Sequence, residues 1–164
     1  MTRSPRPPGA KVVDLRRLRD ELTAARERGR RIVFTNGCFD VLHAGHLQLL
    51  ESAAELGDLL VVGLNGDASV RRLKGPARPF VSFHERAEIL AGLGAVDFVV
   101  RFEEDTPGNL IEAVLPDVLV KGGDWSPEHI VGRELVEARG GRVVSIPLRA
   151  DRSTSAVVRR IRSR

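Results

Sequence analysis

Short apolar segments alternate with helical patterns along most of this chain, and the alternation limits the folds open to it. The apolar segments predict strands at 31–35, 58–64, 96–101, 117–121 and 142–147. Helical patterns occupy 45–56, 67–73, 82–92, 107–115, 127–139 and 154–162. Because strands that are apolar throughout are covered on both faces, the pattern predicts an α/β fold with a parallel sheet between two layers of helices.

The length and the two ends predict one domain with a short lead. The 164 residues suffice for one sizeable core. Residues 1–10 are rich in Arg and Pro and predict a disordered lead, whereas 11–164 predict the folded domain, beginning with a helix at 12–28. A single Cys excludes an internal disulfide, and no apolar run reaches membrane-spanning length. We therefore expect a cytoplasmic protein without a membrane partner.

The chain is basic, with a formal net charge of +4 and a pI near 10.1. Such a balance favours an anionic partner, and nucleic acid is the first candidate. Aromatic residues make up only 4% of the chain, too few for a platform on which bases stack. Nucleotide phosphates are therefore the expected partner, rather than nucleic acid.

Two histidines, His43 and His46, lie where the first predicted strand of the sheet passes into a helix. Residues three apart share one side of a helical turn, and Gly45 between them lets a ligand approach the backbone. Helix amino termini at the carboxyl edge of such a sheet bind anions. A zinc site is the alternative, but zinc-binding helical pairs are usually spaced by four and Cys38 alone hardly completes a site. The pattern favours a phosphate site.

Further polar residues follow the other predicted strands. Asn65 follows the second strand, and Lys121, Gly122, Gly123 and Asp124 follow the fourth, where two glycines allow a tight turn with exposed amide groups. The hydroxyl residues Ser153, Thr154 and Ser155 precede the last helix and are typical N-caps. The carboxyl ends of parallel strands meet at one edge, so these groups are expected near the histidines.

Several blocks carry a family resemblance. The segment 35–46, Thr-Asn-Gly-Cys-Phe-Asp-Val-Leu-His-Ala-Gly-His, resembles the signature of the His-x-Gly-His nucleotidyltransferases, the cytidylyltransferase-like superfamily. Segments 73–79, 90–93, 102–107 and 119–124 are similar to those of one branch, the D-glycero-β-D-manno-heptose 1-phosphate adenylyltransferases. The resemblance covers about residues 31 to 161 and implies a five-stranded Rossmann-like sheet.

The resemblance also implies a role for individual residues. The catalytic group comprises His43, His46 and Lys74. Nucleotide binding is assigned to Thr35, Asn36, Gly37, Cys38, Phe39, Gly45, Lys121, Gly122, Gly123, Asp124, Ser153, Thr154 and Ser155. Substrate or phosphate binding is assigned to Asp40, Asn65, Arg78 and Arg86. Asp40 has three open roles: orienting a histidine, capping the loop or approaching Mg²⁺.

The implied reaction transfers AMP from ATP, with Mg²⁺, to the sugar 1-phosphate, giving ADP-heptose and pyrophosphate. A separate sugar kinase is expected to supply the acceptor, and the resemblance implies a homodimer. Two alternatives stay open: a cytidylyltransferase acting on glycerol 3-phosphate or another small phosphate, and a non-catalytic nucleotide-binding protein.

Overall fold

The structure, a computed structural model, describes residues 6–123, 125–148 and 153–163. Six strands form its sheet: β1 (Val12–Val13), β2 (Ile32–Gly37), β3 (Leu59–Asn65), β4 (Phe98–Phe102), β5 (Val118–Gly122) and β6 (Arg142–Ile146). The helices are α1 (Pro8–Lys11), α2 (Leu15–Glu27), α3 (Ala44–Ala54), α4 (Asp67–Lys74), α5 (Phe83–Gly92), α6 (Gly108–Val114), α7 (Arg133–Ala138) and α8 (Thr154–Arg162). A 3-10 turn covers Pro127–His129.

The sheet is parallel throughout and has the strand order β1-β4-β3-β2-β5-β6. The predicted α/β architecture is confirmed, with six strands in place of the expected five. The added strand is β1, in which Val12 and Val13 pair with Val99 and Val100 of β4. A two-residue edge strand is too short to show a period of its own, so the sequence pattern merged it with the helix that follows.

Two buried clusters cover the two faces of the sheet. Ile32 and Phe34 of β2 pack into one cluster with α2, α6 and α7, whereas Val33 packs into the other with α3 and α5. This alternation follows from the period of two in a strand. Because both faces are covered, β3 is buried along its whole length, and the first three residues of β2 and of β5 are apolar and buried, as the sequence indicated.

Three predicted segments differ from the structure. A helical turn, α1, lies within the segment expected to be a disordered lead through residue 10. The first long helix begins at Leu15 rather than at residue 12, because the Asp14 side chain accepts a hydrogen bond from the backbone N–H of Arg17 at 2.8 Å and caps it there. The predicted helix 127–139 is divided by Gly132, which has φ +88° and precedes α7.

The strand order brings three strand ends together. Strands β3, β2 and β5 are neighbours at the centre of the sheet, and their carboxyl ends lead into the segments that carry the predicted site residues. In an open parallel sheet this edge is where ligands bind.

Candidate active site

The two histidines cap the amino terminus of α3 with their own rings. The Nδ1 atom of His43 accepts a hydrogen bond from the backbone N–H of Gly45 at 3.1 Å. The Nδ1 atom of His46 accepts one from the backbone N–H of His43 at 3.4 Å. A ring nitrogen that accepts carries no proton, so each neutral ring holds its proton on Nε2. The helix cap therefore fixes the tautomer of both rings.

The rings also stack on each other, with centroids 3.9 Å apart and planes 26° apart. Burial, and to a smaller extent the neighbouring His43, lower the pKa of His46 to about 4. His46 is therefore neutral near pH 7 and offers a single Nε2–H donor. Its ring lies against Phe39, at a centroid distance of 5.3 Å.

The loop 38–43 between β2 and α3, called the histidine loop below, has a strained backbone around Asp40. Its neighbours Phe39 and Val41 have φ values of +45° and +54°, a region that residues other than glycine rarely adopt. Asp40 is 2% exposed. Its carboxylate accepts hydrogen bonds from the backbone N–H groups of Phe80 at 2.9 Å and Val81 at 3.0 Å.

The Asp40 carboxylate also accepts a hydrogen bond from Nε of Arg78 at 2.7 Å. Burial acts to raise the pKa of Asp40, but the Phe80, Arg78 and Val81 donors outweigh burial and hold that pKa below its ordinary value. Of the three roles considered for Asp40, the geometry favours loop capping: the carboxylate joins the histidine loop to the segment 78–81.

Helix α8 is attached to the same loop. The Thr154 hydroxyl donates to the backbone carbonyl of Asp40 at 2.8 Å. Ser153 caps the helix by accepting a hydrogen bond from the backbone N–H of Ala156 at 3.1 Å. The N-cap predicted from sequence is present, and the structure adds the contact with the histidine loop, 114 residues away in sequence.

Arg86 holds several loops together and is only 1% exposed. It donates hydrogen bonds to the backbone carbonyls of Val81 at 2.9 Å, Cys38 at 2.6 Å and Asn65 at 2.9 Å. It also pairs with the Asp67 carboxylate at 2.7 Å. The sequence-based assignment of Arg86 to phosphate binding therefore conflicts with the geometry, because its guanidinium is buried and bound to protein acceptors.

Asn65, like Arg86, is buried and bound to other parts of the protein. It is 3% exposed, and its Nδ2 donates to the Ser69 hydroxyl at 2.9 Å. Ser69 in turn donates to the backbone carbonyl of Glu104 at 3.2 Å. These contacts make Asn65 a residue that positions the end of β3, rather than the phosphate ligand expected from sequence.

Lys121 and Lys74 place positive charge near Cys38. Burial lowers the pKa of Lys121, the charge of Lys74 lowers it further, and Cys38 acts in the opposite direction. The Lys121 Nζ lies 5.4 Å from the centroid of the Trp125 ring, within cation–π distance. Burial raises the pKa of Cys38 despite nearby cations, so this thiol is protonated and unsuited to act as a nucleophile.

The turn after β5 is held by contacts that the sequence did not reveal. The Trp125 indole N–H donates to the Gly122 carbonyl at 3.1 Å, and the Ser145 hydroxyl donates to the Gly123 carbonyl. Gly123 has φ +107°, which explains a glycine there. A Cβ on Gly122 would lie 2.8 Å from the Leu49 side chain, so the turn approaches α3 closely. Asp124, assigned to nucleotide binding from the sequence, lies outside the described residues.

The start of the signature segment is buried. Thr35 is 1% exposed, and its hydroxyl has no hydrogen-bond partner within the described ranges. Asn36 and Gly37 end β2, and the ring of Phe39 would lie 3.1 Å from a Cβ on Gly37. Ser155 and Lys74 are exposed, and Gly45 is buried in the first turn of α3. The buried Thr35 side chain is inaccessible to a ligand, whereas the side chains of Lys74 and Ser155 are accessible to one.

The described residues include no group of three or more His, Cys, Asp or Glu side chains able to hold a metal ion. The Asp40 carboxylate, the nearest candidate, is occupied by its three protein donors. Among the described helices, none is both long and apolar enough to span a bilayer.

Residues 34–160 match the model of the cytidylyltransferase-like family. The chain belongs to this family, and it is a nucleotidyltransferase, as the signature segment predicted. It is 58% identical over 147 residues to the bifunctional protein HldE of Syntrophotalea carbinolica, covering 90% of this chain and 30% of that protein. It is 55% identical over 153 residues to HldE of Pseudomonas aeruginosa, covering 93% and 32%.

Solved structures support the fold. A lipopolysaccharide core biosynthesis protein from Thermoplasma volcanium matches with a TM-score of 0.61 at 24% identity, covering 73% of this chain and 97% of that one. Pantoate-beta-alanine ligase from Francisella tularensis, solved with beta-gamma ATP and beta-alanine, matches with a TM-score of 0.61 at 15% identity, covering 88% and 68%. The chain spans about a third of the length of the curated relatives it matches.

Proposed function

We propose that this chain transfers AMP from ATP to D-glycero-β-D-manno-heptose 1-phosphate, giving ADP-heptose and pyrophosphate. The observation that carries the proposal is the histidine pair, whose Nδ1 atoms are fixed as acceptors by the cap of α3. The blocks at 73–79 and 119–124 and the identity of 58% with an HldE protein support the heptose branch.

In the proposed reaction an oxygen of the sugar 1-phosphate attacks the α-phosphorus of ATP. A new P–O bond forms at the α-phosphorus. The bond between the α-phosphorus and the oxygen that bridges it to the β-phosphorus breaks, and pyrophosphate leaves with that electron pair. The enzyme needs no nucleophile of its own, which agrees with the protonated state of Cys38. Its task is to align two anions and stabilise the charge that accumulates between them.

The Nε2–H groups of His43 and His46 are suited to donate hydrogen bonds to phosphate oxygens, and such bonds strengthen as the transition state forms. Lys74 and Lys121 add positive charge near the same loop. Mg²⁺ enters as part of the MgATP substrate and masks phosphate charge. Asp40 acts indirectly by keeping the strained histidine loop in place.

The origin of the acceptor and the assembly also stay predictions. We expect a sugar kinase to supply the 1-phosphate, although the relatives are bifunctional and about three times as long, so that activity need not belong to a separate protein. A homodimer and a cytoplasmic location are part of the proposal.

The test is an assay of pyrophosphate release from ATP and Mg²⁺ with the heptose 1-phosphate, together with mass detection of ADP-heptose. A parallel reaction with CTP and glycerol 3-phosphate tests the cytidylyl alternative, which the family description favours enough to include. Faster release with CTP would overturn the adenylyl assignment. Nucleotide binding without release from any pair would leave the non-catalytic alternative.

A further inference from the structure

Trp125 is the single tryptophan of the chain and has no part in the proposed reaction. It lies three residues beyond the end of β5, at the carboxyl edge of the sheet that also carries the histidine loop. It is 49% exposed, whereas aromatic rings contribute most to stability when they are buried. Core packing therefore does not explain a tryptophan at this position.

Two hydrogen bonds hold the ring and the turn before it in place. The indole N–H donates to the Gly122 carbonyl at 3.1 Å, so the ring folds back over the turn. A Cβ on Gly123 would lie 3.2 Å from the indole nitrogen, which shows how closely the ring approaches the backbone. The Ser145 hydroxyl of β6 donates to the Gly123 carbonyl. The orientation of the indole is thus set before any ligand binds.

The ring lies against the ammonium group of Lys121. The Lys121 Nζ is 5.4 Å from the ring centroid, within cation–π distance. The side chain of Lys121 is half-buried, and burial lowers its pKa, so the protein replaces only part of the water that would solvate the ammonium. Within residues 6–123, 125–148 and 153–163, this ammonium makes no hydrogen bond or ion pair. In those ranges the indole face is the contact that keeps the ammonium in one position.

We propose that Trp125 is a positioning residue that holds the Lys121 ammonium in place for the phosphates of the nucleotide. A lysine carries its charge on a flexible four-carbon stem and loses rotamer entropy when a ligand fixes it. The indole fixes the ammonium beforehand, which reduces the entropy that nucleotide binding costs. The inference rests on the proposed function, in which Lys121 adds positive charge near the histidine loop.

A double-mutant cycle tests the proposal. Calorimetry gives the Kd for ATP with Mg²⁺ of the full-length wild type, W125L, K121M and W125L/K121M. Methionine keeps most of the length of the lysine side chain without its charge. W125F, which keeps an aromatic face, is the conservative variant. I89A is the matched control, because Ile89 on α5 is an apolar side chain with the same 49% exposure.

We expect W125L to raise the Kd for ATP about fivefold, the scale of a partly desolvated cation–π contact. W125F should raise it less, and I89A should match the wild type. In the K121M background W125L should cause no further rise, because the ring then has no ammonium to hold. A rise in Kd that persists in W125L/K121M would overturn the proposal, since the ring would then act on the ligand or the turn directly.

Fluorescence gives a second readout that a merely structural role would not change. The chain has one Trp and no Tyr, so its indole emission comes from Trp125 alone. An ammonium against an indole quenches its emission, so K121M without ligand should be brighter than the wild type. K74M is the control, because no ring contact joins Lys74 to Trp125 in the described part of the chain.

Unchanged emission in K121M would overturn the proposal, as would an equal change in K74M, which would indicate a general effect of charge. Failure of the proposed function is a separate result. A wild-type protein that releases no pyrophosphate refutes the proposed function, whereas the emission of K121M requires no turnover and still tests the contact between Lys121 and Trp125.

Discussion

The histidine loop and helix α8 touch each other but are held in opposite ways. In the loop, Phe39 and Asp40 are 5% and 2% exposed, and the Asp40 carboxylate is bound by three donors. In α8 no residue is buried, and the Thr154 hydroxyl donates a hydrogen bond to the backbone carbonyl of Asp40 in the loop. The comparison indicates that the two regions have different tasks. The loop holds the histidines in a fixed position, whereas α8 offers an exposed, positively charged surface with few internal contacts.

Removal of the Asp40 carboxylate is the strongest way to break this contrast. Asp40→Ala leaves buried amides of Phe80 and Val81 and the Arg78 guanidinium without their acceptor. We expect the free energy of unfolding to fall by about 3–5 kcal/mol, as for a broken buried pair. Urea denaturation measures it. Asp105→Ala, which removes an exposed carboxylate paired with Arg72, is the control and should change it by less than about 0.5 kcal/mol.

Loss of a histidine should lower turnover by far more than its loss of the α3 cap lowers stability. His46→Ala removes the Nε2–H donor, and kcat should fall about a hundredfold or more with little change in the KM for ATP. The exposed His84, replaced in His84→Ala, is the control and should keep wild-type kinetics. Near-normal turnover in His46→Ala would show that the half-buried, stacked ring serves only to cap α3.

Because the pKa of His46 is lowered, the stability that the histidine loop contributes should depend on pH. Its pKa is about 4 in the folded protein and 6.5 in a free histidine, so the unfolded chain binds the extra proton first as pH falls. This contribution to stability is complete above pH 6.5 and is lost between pH 6.5 and 4. The corresponding loss from Asp40, whose folded pKa lies below 3.8, begins only at more acidic pH.

Urea denaturation of the wild type and of His46→Gln between pH 7 and pH 4 would measure the contribution of His46 to the free energy of unfolding. The difference in unfolding free energy between the two proteins should shrink steadily over that range. A difference that stays constant with pH would contradict a depressed pKa for the ring.

The smallest expected effect is that of the single hydroxyl contact between the two regions. Thr154→Val removes the hydrogen bond to the Asp40 carbonyl and should cost about 1 kcal/mol of unfolding free energy, with a modest rise in the KM for ATP. Ser155→Val, on the exposed neighbour, is the stability control. Equal stability losses in both variants would mean that helix propensity, rather than the contact, is responsible.

The parts of the fold that sequence predicted are those with a local signal. The bounds of α8, residues 154–162, were predicted as observed, because an N-cap and a helical period lie next to each other in the chain. The strands of the central sheet were found through their continuous apolar runs. Strand β1 and the break at Gly132 were missed, since a two-residue pairing and one left-handed glycine leave no periodic signal.

The site shows the same division between local and distant information. The position of the histidine pair at the amino terminus of α3 was predicted because the three-residue spacing and the strand–loop–helix pattern are local in sequence, whereas the ring caps were not foreseen. The bonds of Asp40 to Phe80 and of Arg86 to Cys38 span 40 and 48 residues, so sequence alone did not show that they place these charges inside the protein. A charged residue in a family motif was therefore assigned to a ligand when its partners are other parts of the chain.

The buried Arg86 guanidinium has a consequence for how the site opens. One side chain reaches the ends of β2 and β3, the start of α4 and the segment before α5. The Arg86 charge is buried, and only these protein acceptors compensate for its lost contact with water. If one segment moves away, the guanidinium loses an acceptor that no water replaces, so the contacts favour movement of all four segments together. The amide protons of the four segments should therefore exchange with solvent as a single cooperative unit, at one common rate, and in Arg86→Lys they should separate into faster and slower groups.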